Sequence, residues 1–369
     1  MNRRSLMGGI AASGLAASLL PGLARAQQGT AALSGPRNPL AAPWSAWKAA
    51  FLDESGRVID KLQQGASHSE SQGYGLLMAA TFGDAAAFDL IHDWTERNLA
   101  IRSDALLAWR WLPSGSGRVP DRNNAADGDL FYAWGLVIRA QREQRADLLD
   151  RASAIAADLV STCVVAAPDG SGRMLLTPAA EGFDREGGQI INPSYYMPLA
   201  MREVARATGQ SALATCATDG EALMAEIAAG GLVPDWVQIG PGGTGPAEGM
   251  SGRNGYEAVR VPLFLCWSGS ASHPAVARQA QAYREAETGG GLSLGQYPIV
   301  MDTDTGKVIE TSADVGYGAV AALVQCAESN RSGAPIPLYR TANQPYYPAT
   351  LHLMTLIAQI LSVPECVPI

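Results

Sequence analysis

Residues 85–99 read AAAFDLIHDWTERNL, and their apolar side chains return every three or four positions. Phe88, Ile91 and Trp94 therefore share one face of a helix, with Asp89, Glu96 and Arg97 away from it. This stretch predicts a helix over 84–99. The same spacing, with Ala-rich faces, predicts helices over 43–53, 71–82, 127–143, 146–164, 193–208, 211–229, 255–268, 272–286, 312–328 and 346–362. Gly/Pro-rich loops at 112–124, 166–190, 231–254 and 329–345 separate them. Extended signals are short: RMLLTP (173–178), VPDWVQI (233–239), and YPIVMDTDTGKVIE (297–310), which reads as a hairpin around Thr303–Gly306. They are too few for an α/β sheet, and no βαβ alternation occurs. The expectation is one all-α domain over 43–369. Antiparallel helix pairs set in a ring would bury each inner helix on most sides.

The chain has 369 residues, 47% hydrophobic and 17% charged, a composition with ample material for a core. Its first 26 residues read as an export signal. Arg3 and Arg4 precede a small, apolar run, and Ala24-Arg25-Ala26 fits a cleavage site. Periplasmic or secreted placement is therefore expected. The arginine pair before Ser5-Leu6-Met7 leaves both the twin-arginine and the ordinary secretory route open. Residues 27–42 read as a flexible lead-in. No later segment reaches ~18 uninterrupted apolar residues, so no membrane span is expected after signal removal.

A formal net charge of −8 and the lack of a Lys/Arg-rich run argue against nucleic acid or an anionic membrane as partner. The five cysteines (163, 216, 266, 326 and 366) are widely spaced, and an odd count cannot pair completely. Most are expected to be packed thiols, with room for one disulfide.

Three acidic clusters sit where a loop feeds a helix: Glu70 in SHSESQGYGLLMAA, Asp127 and Asp129 in NNAADGDLFYAWGLVIRA, and Glu257 in GRNGYEAVRVPLFLCW. For any one acid alone, capping and the helix dipole are sufficient reason, at ~0.3–1 kcal/mol. In a helical ring, however, the starts of inner helices gather at one face and such acids converge. Gly73 and Gly75, flanking Tyr74, cost a helix ~1 kcal/mol each against alanine, which implies that something approaches the backbone closely. Asp127-Gly128-Asp129 is open to a metal-binding reading, but no strand or phosphate-cradling loop precedes it. Neither metal nor cofactor is expected.

Trp109, Trp111, Tyr195, Tyr196 and Trp236 lie in or beside loops, where they either stack on sugar rings or plug the ends of helical cores. Arg110, and Arg260 one turn after Glu257, are placed to fix hydroxyls or carboxylates. The four histidines lack metal spacing. DTDTGKV (302–308) lacks the later ligands of a calcium loop and reads as a β-turn.

Taken together and in order, SGRVID (55–60), SHSESQGYGLLMAA, LLAWRWLP with PDRNNAADGDLFYAW, INPSYYMP (191–198), VPDWV (233–237) and GYEAVRVPLFLCW (255–267) resemble glycoside hydrolase family 8. They look most like its endo-β-1,4-glucanases that accompany bacterial cellulose synthase. The resemblance implies an (α/α)6 barrel with an open cleft, and hydrolysis of β-1,4-glucan with inversion. The synthase complex is then a candidate partner. It also implies Glu70 as general acid and Asp127 as the aspartate that holds the sugar at the cleavage point. Tyr256 and Arg260 flank the base position. Tyr74, Trp109, Arg110, Trp111, Asp129, Tyr195, Tyr196 and Trp236 join them as candidate substrate contacts.

Two positions depart from the family pattern. Glu257 stands where aspartate is usual, and one methylene moves a carboxylate by roughly 1.5 Å. Ser71 stands where glycine is usual, either bonding Glu70 or capping the helix. The first departure keeps a catalytically weakened glucan-binding accessory protein in view. The breadth of the family keeps chitosan, xylan and mixed-linkage glucan in view as substrates.

Overall fold

The computed structural model describes residues 32–114, 118–290, 292–329, 335–339 and 344–366, and all eleven expected helices form within them. They are α1 (Ala41–Phe51), α2 (Ser69–Phe82), α3 (Ala85–Asn98), α4 (Ala126–Glu143), α5 (Ala146–Cys163), α6 (Pro198–Thr208), α7 (Ser211–Gly230), α8 (Arg260–Trp267), α9 (Pro274–Thr288), α10 (Val315–Ser329) and α11 (Tyr346–Leu361).

Burial sorts them into two layers. In α2 every residue except Glu70 is buried, and α8 is buried throughout. By contrast α3 buries one stripe, Ala87, Phe88, Ile91, Trp94 and Thr95, and α5 does the same with Leu148, Ala152, Ile155, Ala156 and Leu159. Successive neighbours α2, α4, α6 and α8 run around the centre, with α10 and α11 both packed on α8. The ring closes where α11 meets α1: the Trp47 indole donates to Thr350 Oγ1 at 3.0 Å. This is an (α/α)6 barrel, with six inner helices and, among the described residues, five outer ones.

The strands are short and antiparallel. β1 (Ser67–His68) pairs with β2 (Arg110–Trp111), and β3 (Val164–Ala166) with β4 (Met174–Leu176). A four-stranded sheet runs β5 (Asp184–Arg185), β6 (Gly188–Ile191), β7 (Val237–Gly240), β8 (Gly243–Gly245). The expected hairpin is β9 (Tyr297–Met301) with β10 (Val308–Ser312). Its turn is closed by Asp302, whose carboxylate accepts from Thr305 N at 3.0 Å, as a β-turn requires.

Three expectations need correction. The lead-in is packed where it is described: Leu33 and Leu40 are buried. The helix expected from 193 starts at Pro198, because a residue before proline is driven to extended backbone, as Met197 is. The helix expected from 255 starts at Arg260, since 255–258 form a turn whose amides bond a side chain instead. Of the cysteines, Cys326 and Cys366 form a disulfide, while Cys163, Cys216 and Cys266 are buried thiols. The export segment lies outside the described residues; among the described residues no helix is long and apolar enough to cross a membrane.

Candidate active site

The site begins with a contact between two helix backbones. A Cβ on Gly73 would stand 2.9 Å from the Gly128 carbonyl oxygen, and one on Gly128 would stand 2.7 Å from the Glu70 nitrogen. Gly73 is thus cleared for α4, while a Cβ on Gly75 would meet Val58, Ile91 and Trp47; neither glycine is cleared for a ligand. The approach sets the first turns of α2 and α4 side by side, and with them Glu70 and Asp127.

The start of α2 is fixed independently. Ser69 N donates to the Trp109 carbonyl at 2.9 Å beside the β1–β2 pair. Ser71 Oγ accepts from His68 N at 3.0 Å, half of a capping box. Of the two roles open to Ser71, capping is the one it takes. The third acid is held by Asp235, whose Oδ1 accepts from Gly255 N, Glu257 N and Ala258 N at 3.0, 3.1 and 2.9 Å. This turn carries Glu257 immediately before α8, and α8 opens with Arg260.

Arg260 is the hub. Only 1% exposed, its guanidinium donates through Nη1 to Glu70 Oε2 at 2.5 Å, Tyr74 OH at 3.0 Å and Asp127 Oδ2 at 3.4 Å. Through Nη2 it donates to Ser194 Oγ at 2.7 Å and to Glu257 Oε2. Three carboxylates therefore face one cation, and burial makes a second uncompensated anion costly. Burial pushes the Glu70 carboxyl up to about 8, with Arg260 opposing and Asp127 and Glu257 adding. Burial likewise raises Asp127, against Arg260 and the Gly128 amide. Glu70 is accordingly suited to keep a proton at neutral pH. Arg260 occupies its Oε2, leaving Oε1 to present that proton.

The other candidates divide. Tyr195 lies beside the hub, with the Arg260 guanidinium carbon 5.6 Å from its ring centre. Trp236 follows at 6.2 Å from Tyr195 and stacks on Phe183 at 5.8 Å. Tyr256, 43% exposed, donates to Glu310. Trp109 stacks on His68 at 6.0 Å with Arg110 4.4 Å over its ring, at the start of α2.

Four candidates are corrected to supporting positions. Tyr74 is fully buried behind Glu70 and serves Arg260. Asp129 is fully buried and accepts from Leu107 N at 2.8 Å and Asn124 Nδ2 at 2.9 Å. Its carboxylate is spent on loop backbone and on an amide, which also separates it from Asp127. Tyr196 is buried, with its OH accepting from Leu176 N at 2.7 Å. Trp111 packs on Trp94 at 5.5 Å under Arg57 and Arg118, the plug reading rather than the stacking one. Sequence reasoning missed Asn192, Ser194 and Asp235. All three lie in stretches it had singled out, but the aromatic neighbours drew the attention. An Asn-Pro-Ser run before a turn was the available signal for the first two.

The sequence pattern of Glycosyl hydrolases family 8 matches residues 18–360. The chain belongs to that family. This family 8 hydrolase is 32% identical over 343 residues to a probable endoglucanase of Novacetimonas hansenii, covering 92% of this chain and 96% of the relative. Its fold matches the endo-β-1,4-glucanase CMCax of Acetobacter xylinum with a TM-score of 0.73 at 31% identity, covering 88% of this chain and 98% of the other. An endoglucanase from Komagataeibacter sucrofermentans superposes with a TM-score of 0.76 at 31% identity, over 87% and 97% of the two chains. The Arg260 cluster is this hydrolase's candidate reaction centre.

Proposed function

We propose that the chain is an exported endo-β-1,4-glucanase that cuts internal bonds of cellulose-type glucan with inversion at the anomeric carbon. One observation carries the reading: a single buried guanidinium ties Glu70, which holds a proton, to Glu257, which lies across it at the start of another inner helix. Inverting hydrolysis needs such a pair, an acid for the glycosidic oxygen and a base for water, ~6.5–9.5 Å apart. Glu70 protonates the leaving oxygen, Glu257 takes the proton of the attacking water, and Asp127 holds the sugar between them. Tyr195, Trp236, Tyr256, Trp109 and Arg110 line the chain's path. The names of the relatives support glucan as substrate.

Export rests on the signal-like first 26 residues and on the Cys326–Cys366 disulfide, a bond that persists in oxidising compartments. The link to cellulose synthesis rests on the motif resemblance alone. The test uses the mature protein on carboxymethylcellulose. Reducing ends should appear with a steep fall in viscosity, the first product should be the α-anomer by NMR, and Glu70→Gln should abolish both while still binding cello-oligosaccharides. Full activity in Glu70→Gln, or a β-anomer first, would overturn the mechanism.

A second reading follows from Glu257 standing in the place of an aspartate and resting on Arg260. There the chain is a glucan-binding accessory protein, and the wild type binds cello-oligosaccharides without turnover.

A further inference from the structure

Asn192 and Ser194 are fully buried beside Arg260 and Glu257. β6 ends one residue before Asn192, which caps the 3-10 turn Pro193–Tyr195. Its Oδ1 accepts from Ser194 N at 3.0 Å and from Ser194 Oγ at 2.7 Å. Those two donors settle which way the amide faces, because a flipped amide would set its NH2 against them. The Nδ2 is thereby committed to the other side, where it donates to Glu257 Oε2 at 3.1 Å. Ser194 is held in turn: its Oγ accepts from Arg260 Nη2 at 2.7 Å, so its single proton is free for Asn192.

We propose that Asn192 is the positioning residue of the catalytic base, with Ser194 as the group that fixes its amide. The inference rests on the reading of Glu257 as base. A donor on Oε2 pins the longer glutamate side chain, leaving Oε1 to take the proton of the water. The titratable and charged groups facing Glu257 are Arg260, Asp127, Glu70, Tyr195, Tyr347 and Asp235. Neither Asn192 nor Ser194 titrates, so replacing them changes the base's surroundings without removing a charge.

The experiment measures kcat and KM on a soluble cello-oligosaccharide for wild type, Asn192→Ala, Ser194→Ala and Glu257→Ala. Asn192→Ala should lower kcat about tenfold with KM held, because the base is misplaced while the glucan contacts stay. Ser194→Ala should lower kcat by less, again with KM held, and it carries the test if Asn192→Ala does not fold. Unchanged kcat in the folded variants, or kcat and KM changed together, would overturn the inference. Wild-type turnover in Glu257→Ala would instead sink the base assignment, so the two failures read differently.

Discussion

Gly128 lies against the backbone of Glu70, so closely that a Cβ there would stand 2.2 Å from Ser69 Oγ and 2.7 Å from the Glu70 nitrogen. No side chain fits between the helix that carries Asp127 and the helix that carries Glu70. Replacing Gly128 with Ala sets two effects against each other. Helix propensity favours alanine by ~1 kcal/mol, whereas forcing a methyl into packed backbone costs ~1–3 kcal/mol. The clash should win, because backbone atoms of α2 cannot swing aside as a long side chain would. We expect a net loss of up to about 2 kcal/mol in chemical unfolding. A fall in kcat of about 100-fold should accompany it, since a shift of ~1 Å at a reacting group has that effect. Unchanged kcat with unchanged stability would show that the close approach does not set the acid.

That contact explains how much was legible beforehand. Helical spacing located all eleven helices, and glycines beside Tyr74 announced a close approach; neither could say that the body approaching Gly73 was α4. The acids at 70, 127 and 257 were legible by chemistry and by resemblance, because the first two lie in the first turn of an inner helix and the third in the turn that leads into one. Asp129 was not separable from Asp127 in the sequence. One helical turn holds both, but the first faces Arg260 while the second faces the Leu107 amide. Trp111 and Tyr196 failed for the same reason, since an aromatic beside a loop shows nothing of which side it faces. Asp235 and Asn192 act on the turn and the carboxylate of a distant segment, and only the fold makes those pairs.

The elevated pKa of Glu70 couples activity and stability to pH. Its value in the folded chain, about 8, lies above its ordinary 4.5. The folded state then holds a proton the unfolded state has lost, so this contribution to stability is full below pH 4.5 and is lost as pH rises to about 8. Glutamine cannot titrate. The Glu70→Gln variant should therefore gain stability relative to wild type across that window and hold a constant difference beyond it, read by urea unfolding at several pH values. The alkaline limb of wild-type kcat/KM should fall near the same upper value, because only the protonated acid can serve the leaving oxygen. A stability difference that does not vary with pH would refute the raised value.

The disulfide gives a separable prediction. Cys326 lies in α10 and Cys366 follows α11, 40 residues on. Closing a loop of that size stabilises a fold by roughly 2–4 kcal/mol. Cys326→Ser should lower Tm by several degrees and leave kcat at 25 °C unchanged, since neither cysteine touches the Arg260 cluster. Loss of kcat at a temperature where circular dichroism shows a folded chain would mean that the bond shapes the site.

Glu257 is one of the two positions where this chain departs from the family pattern it resembles, and the structure indicates which side chain should work better here. Its Oε2 reaches Arg260 Nη2 and lies 3.1 Å from Asn192 Nδ2. An aspartate at 257 would draw the carboxylate back by roughly 1.5 Å, out of reach of donors fixed by their own hydrogen bonds. The turn cannot follow it, because Asp235 holds the amides of 255, 257 and 258. Glu257→Asp, although it restores the usual residue, should therefore lower kcat by about 100-fold while KM stays within a few-fold. Activity equal to or above wild type in that variant would show that the cleft has kept the geometry of the shorter side chain. The glutamate would then be a weakening substitution, and the accessory-protein reading would gain the advantage.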